Sequence, residues 1–215
     1  MRPLKTSGPL SLSRLAALGL LALAAGCNLA SPPEDDPTRY YVLSDAGGSD
    51  AHAAQAPGTL RIGLRAVGLE GYLKNRQFVV RTGANEVDFR DYRRWAEPLD
   101  AAISRMLRAK LLASPGVGQV SCEPFPLEQE RDFDVSVEIL RFEGDVTAPG
   151  RASANLTALI EVSTTGADSK VVVRKRFVAP AAAWDGSSFD QLAGLLSHDV
   201  AALGQEIASD IPAKD

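Results

Sequence analysis

Across 215 residues, 23 Lys and Arg are outnumbered by 27 Asp and Glu, giving a formal net charge of −4. An acidic chain is a poor fit to nucleic acid, whose binding rests on basic patches. Two cysteines and two histidines, with no C-x-x-C, H-E-x-x-H or EF-hand pattern, argue against a zinc or calcium site.

The chain opens with Arg2, Lys5 and Arg14 ahead of an apolar stretch from Leu15 to Leu23. Ala24, Ala25 and Gly26 follow, then Cys27. A basic segment, a short apolar segment and small residues make a secretory signal peptide over residues 1–26. The apolar segment is too short to cross ~30 Å of hydrocarbon. Cys27 after Ala-Ala-Gly resembles the lipobox of bacterial lipoproteins, although Leu23 stands four residues before it rather than the usual three. That resemblance implies a covalent S-diacylglycerol and an N-acyl chain, palmitate for example, on Cys27. Several acyl chains anchor stably where one is marginal. Asn28, rather than Asp, after the cysteine leans towards the outer membrane under the enteric sorting rule. Loss of residues 1–26 leaves 20 basic and 27 acidic residues, a net charge of −7. Such a surface does not suit a polybasic membrane mode; the acyl chains take that part.

Residues 27–37 contain Pro32, Pro33, Glu34, Asp35, Asp36 and Pro37 without periodicity, which reads as a lipidated tether. Extended, it reaches ~30 Å at ~3.3 Å per residue. The folded domain is expected over residues 38–215. Arg39 to Leu43 reads as a first strand, and Ser44 to Gly58, which includes His52, as a loop. Leu60, Ile62, Leu64 and Ala66 alternate with Arg61 and Arg65, a half-buried strand. Gln77 to Arg81, a turn over Thr82 to Asn85, and Glu86 to Phe89 form a hairpin.

A helix begins near Pro98, with Leu99, Ile103, Met106, Leu107 and Leu111 in helical spacing. Ser114-Pro115-Gly116 stops it, and a short strand follows near Gly118 to Cys122. If Cys27 is acylated, Cys122 has no intrachain partner and reads as a small apolar residue at a strand end. Phe133, Val135, Val137 and Ile139 alternate, and the phase then flips to Leu140 and Phe142, which marks a β-bulge. Ala152 to Val162 and Val171 to Val178 complete an antiparallel meander. Ser188 and Gln191 resemble a capping box ahead of a stripe of Leu192, Leu195, Leu196, Val200, Leu203 and Ile207. His198 lies off that stripe. The order predicts an α/β single domain: one mixed β-sheet with an antiparallel meander and two main packed helices.

No G-x-S-x-G, S-x-x-K or phosphate loop occurs, so activated-serine and phosphate chemistry lack a local signature. Asp88, Asp91, Glu97 and Asp100 cluster where a helix macrodipole favours acids. A hydrolase built on Asp88 or Asp91 would lack a nucleophile-and-base pair.

The stretch from Gln77 through Arg81, Asn85-Glu86 and Arg94-Trp95-Ala96-Glu97-Pro98-Leu99 resembles the ABC-type transport auxiliary lipoproteins, the paraquat-inducible protein C family. Tyr40-Tyr41-Val42-Leu43, Arg61-Ile62-Gly63-Leu64 and Gly71-Tyr72-Leu73 fit the same family in the same order. The resemblance implies a non-enzymatic periplasmic lipoprotein without a cofactor other than its lipid. It would work beside an MCE-domain protein in an intermembrane lipid transport system. A homo-oligomer would suit a partner with rotational symmetry. Partner-binding candidates are Tyr72, Asn85, Glu86, Arg94 and Trp95. Trp95 fits a core position as well, since indole is mostly core material. The alternative function is a carrier module holding lipid between the sheet and the last helix, which requires an apolar cavity there.

Overall fold

The computed structural model describes residues 35–44, 58–126 and 129–212. Cys27, the signal segment and His52 lie outside them. Residues 38–215 form one compact unit.

The strands are β1 (Arg39–Tyr41), β2 (Leu60–Leu64), β3 (Gly68–Leu69), β4 (Gln77–Gly83) and β5 (Glu86–Trp95). Helix α1 (Leu99–Leu112) and strand β6 (Val117–Cys122) follow. Then come β7 (Phe133–Asp145), β8 (Ala152–Thr164), β9 (Val171–Val178), β10 (Ala182–Trp184) and helix α2 (Phe189–Asp210). A 3₁₀ turn, Gly71–Leu73, connects β3 to β4.

Strand β7 is the spine of a mixed sheet. Along one edge it pairs antiparallel with β8 over its full length, from Phe133↔Thr164 to Asp145↔Ser153. Along the other edge the chain climbs beside it in three parallel steps. β2 pairs at Ile62↔Phe133, β3 at Gly68↔Glu138, and β4 at Val80↔Gly144. β6 extends the β2 end, while β5 and then β1 extend the β4 end. β9 and β10 share the outer edge of β8. The predicted meander is therefore β7-β8-β9, and the predicted hairpin is β4-β5, with β5 running on to Trp95.

The phase flip read from the sequence is a register shift between Ile139 and Arg141. Before it Val135, Val137 and Ile139 are buried; after it Phe142 and Gly144 take the inward positions. One extra residue thus keeps a 13-residue strand apolar towards the helices through a bend.

Both helices fold because each has one greasy stripe and no reason to be stable alone. Leu192, Leu196, Val200, Leu203 and Ile207 of α2 are 0–1% exposed, each such burial being worth about 1.5–3 kcal/mol. Ser188 caps α2, its hydroxyl accepting from Gln191 N at 3.2 Å. The reciprocal half of a capping box is replaced: Ser188 N donates to Asp185 Oδ1 at 2.6 Å, and Gln191 Oε1 accepts from Asp185 N. Pro98 occupies the cap position of α1, one residue before the helix, rather than its first turn. Ser114 bonds back to Lys110 O at the other end.

Gly144 is a seat for an aromatic ring. A Cβ there would lie 2.7 Å from Trp184 Cζ3 and 3.2 Å from Leu192 Cδ2. Trp184 is held in place by its indole N–H, which donates to Ser188 O at 2.7 Å. The rest of the aromatic cluster lies beside it: Trp95 stacks on Phe78 at 4.0 Å, and Phe189 meets both Phe78 and Trp184 edge-on.

Candidate partner-facing surface

The most specific stretch of the sequence becomes the β4-β5 hairpin and the connection into α1. Its tip is Ala84-Asn85, with Glu86 opening β5. Asn85 and Glu86 are exposed, and Glu86 accepts from the Thr82 hydroxyl at 2.9 Å.

Beneath the tip lies a buried charge network. Arg81 Nε donates to Glu143 Oε1 at 2.6 Å and Nη2 to Oε2 at 3.3 Å, while Nη1 reaches back to Ala84 O at 3.3 Å. One guanidinium therefore ties the turn to the spine strand in the forked geometry that carboxylates favour. The Glu143 side chain is wholly inaccessible. Tyr72, on the 3₁₀ turn, completes the site: its hydroxyl lies 2.9 Å from Glu143 Oε2 and 3.1 Å from Leu140 O. Burial, then the neighbouring Glu143 charge, pushes the Tyr72 phenol up to about 12, against the opposing pull of Arg81. The bond with Glu143 likewise raises the Arg81 guanidinium above its usual value. Arg141 Nε stands 3.5 Å from the same carboxylate. This arrangement fixes shape: most of its donors converge on the Glu143 carboxylate and the rest bond the main chain at Ala84 and Leu140, leaving a rigid loop base.

The five candidates from the sequence therefore fall into four settings. Asn85 and Glu86 form an exposed tip. Tyr72 is half-buried and braces that tip from below through Glu143. Arg94 is exposed on β5, with Nε donating to Asp91 O at 3.0 Å, and Trp95 is 3% exposed. Of the two readings left open for Trp95, the structure matches the core one. The acids nearby are engaged locally: Asp88 with Arg90, Asp91 with the Gln77 amide, and Glu97 with Arg105 at 2.6 Å.

Glu143 escaped the sequence reading. It stands in a polar phase of β7 and looks like any outward residue; only the placement of Arg81 and Tyr72 buries it. Asp199 escaped too. It sits on the buried side of α2 at 2% exposure, and its Oδ2 has no hydrogen-bond partner. Burial pushes its carboxyl up to about 6, with the adjacent His198 pulling the other way.

Among the described residues no group of three or more His, Cys, Asp or Glu could hold a metal ion, and no helix is long and apolar enough to cross a membrane. Cys122 is partly buried at the end of β6. An open depression of about 560 Å³ beside the β7-β8 turn is lined by Asp145, Thr147, Arg151, Asn155 and Trp184 among others. Its mixed lining is unlike an acyl-chain slot, and it does not lie between the sheet and the inner stripe of α2.

A mixed sheet with two helices packed on it and an Arg-braced hairpin running into the first helix define a single α/β domain. The sequence profile of the ABC-type transport auxiliary lipoprotein component family matches residues 41–208, and the chain belongs to that family. Among solved structures it is similar to protein XCC0632 from Xanthomonas campestris, a DUF330 protein. That match has a TM-score of 0.59 at 15% identity and covers 72% of this chain and 85% of the other. A second crystal structure, described as an uncharacterized protein, matches with a TM-score of 0.61 at 19% identity, over 81% of this chain and 99% of the other. At those identities the likeness speaks for the fold alone. No curated protein sequence matches.

Proposed function

We propose that this protein is a periplasmic lipoprotein, anchored to the outer membrane through acyl chains on Cys27. In this reading it serves as a non-enzymatic accessory subunit of an MCE-type intermembrane lipid transport system. The observation that carries the proposal is the family match over residues 41–208. It combines with the lipobox-like Cys27 and a tether over residues 27–37. The work is done by position and contact. Asn85 and Glu86 form the partner-facing tip, Tyr72 and Arg81 hold it rigid, and Arg94 lies at the other end of β5, away from it. A pre-ordered tip binds at lower entropic cost than a loose one.

The non-enzymatic part of the proposal is supported by what the acids do. Asp88, Asp91 and Glu97 are tied to Arg90, Gln77 and Arg105, and Glu143 is locked under Arg81. The carrier alternative has less support, since the α2 stripe and buried sheet residues such as Ala158 and Ile160 belong to one continuous hydrophobic core.

Cys27→Ala tests the proposal. The variant should fold, leave the membrane fraction and lose transport-dependent resistance to lipophilic compounds. Full function in a variant that is soluble after cell fractionation would overturn it.

A further inference from the structure

The mature chain is acidic as a whole, yet its cations are unevenly spent. Arg61, Arg65, Arg81, Arg90, Arg105, Arg131, Arg141 and Arg174 each meet a carboxylate. Arg39, Arg76, Arg93 and Arg94 do not, and neither do Arg108, Arg151 and Arg176: among the described residues no carboxylate lies within ion-pair distance of any of them, but only the first four share one sheet edge. The sheet brings these four together. β1 pairs parallel with β5 at Arg39↔Arg93 and Tyr40↔Arg94, and Trp95 N donates to Arg76 O at 2.7 Å. Asp91, the nearby acid on β5, is taken by the Gln77 amide at 2.8 Å. The guanidiniums of Arg93 and Arg94 use one donor each on main-chain carbonyls, of Tyr92 and Asp91, and that of Arg93 also stands 5.9 Å from the centroid of the Phe189 ring. Among the described residues, no carboxylate takes up the remaining donors of this edge.

Two exposed aromatic rings lie on the same edge. Tyr40 is 62% and Tyr92 55% exposed, large values for side chains of this size. Tyrosine with arginine is the combination that suits a bilayer interface: the ring sits at headgroup depth and the guanidinium forks onto phosphate. The edge also begins where the tether ends, since Arg39 stands two residues after Pro37.

We infer that the β1-β5 edge, through Arg39, Arg76, Arg93, Arg94, Tyr40 and Tyr92, rests on the anionic phospholipid surface that holds the chain's own anchor. This inference rests on the Cys27 anchor reading. It adds an orientation: the tether side of the sheet faces lipid, and the rest of the domain is directed away from it. The acyl chains supply residence, and the arginine edge supplies the pose.

The test uses the mature chain from residue 27 with Cys27→Ser, so that no acyl chain contributes. Flotation with vesicles of phosphatidylethanolamine and phosphatidylglycerol is compared with flotation on phosphatidylcholine alone. Binding should require the anionic lipid and weaken severalfold when salt is raised. Replacing Arg39, Arg76, Arg93 and Arg94 together by Gln should lower partitioning by at least roughly 10-fold. Arg174→Gln with Arg176→Gln, on the β9 edge, should leave it unchanged. All six side chains lie on the surface or its margin, and unchanged near-ultraviolet circular dichroism confirms folding. Binding indifferent to phosphatidylglycerol, or equal in the quadruple variant, would overturn the inference; so would binding of the edge to an acidic protein but not to vesicles. Failure of the anchor reading is read separately, as acylation-competent protein found soluble in cell fractionation.

Discussion

Arg81 and Glu143 meet at 2.6 Å across the β4-β7 junction, with the carboxylate inaccessible to solvent and the guanidinium nearly so. The pair joins an exposed turn to the spine strand of the sheet. Its value is as a geometric fixture, because two desolvated charges recover little net stability. Breaking it is another matter. Arg81→Met leaves Glu143 buried beside Tyr72 with only the longer contact to Arg141, and should cost about 3–5 kcal/mol. Combining Arg81→Met with Glu143→Leu should recover most of that loss. Urea midpoints of the two single variants and the double variant measure the coupling.

Asp199 is a carboxylate the fold accommodates at a cost. Its folded value of about 6 lies above the ordinary aspartate range, so the native state takes up the proton first. The stability this proton provides is present at low pH and is lost as pH rises through 6. Asp199→Asn should therefore stabilise the protein by about 1–3 kcal/mol at pH 7.5, and the gain should shrink towards pH 4. Denaturation midpoints at both pH values check the sign; a gain that grows on acidification would contradict the assignment.

Two glycines make opposite predictions. Gly144→Ala drives a methyl into Trp184 and Leu192, 2.7 and 3.2 Å away, and should cost about 1–3 kcal/mol through forced repacking. Gly194, on the exposed side of α2, has nothing within 4 Å of its Cβ position. Gly194→Ala should gain about 0.8–1 kcal/mol from helix propensity. Thermal melts of the pair separate packing from backbone entropy.

The proposed contact surface and the core beside it also separate by mutation. Trp95→Ala removes a stacked, buried ring and should cost about 3–5 kcal/mol, so loss of any partner in that variant says nothing about contact. Asn85→Ala with Glu86→Ala changes exposed side chains, and should shift stability by less than about 0.5 kcal/mol. If the turn is the docking tip, co-purification of the partner falls in this double variant while its melting curve stays in place.

These contrasts also show what a sequence can and cannot carry. Local periodicity was enough for both helices, for the β7-β8-β9 meander and for the bulge after Ile139, because each is written in consecutive residues. The Ser188 cap was legible for the same reason. Partnerships across the sheet were not. Nothing near Arg39 says that β1 lies parallel to β5, and β3 is only two residues long. Nothing local marks Glu143 or Asp199 as buried, since burial of a charge is decided by elements distant in sequence. Among the contact candidates, exposure of Asn85 and Glu86 followed from the turn. The bracing role of Tyr72 depended on a carboxylate 71 residues away.

The central claim is a lipid-anchored subunit that works by contact within a transport assembly. Gentle detergent extraction of tagged, full-length protein, followed by mass spectrometry of everything that co-purifies, tests it most directly. The account predicts an MCE-domain protein in the eluate, reduced by Asn85→Ala with Glu86→Ala. An eluate holding phospholipid bound to the domain and no such protein would contradict it and favour a carrier.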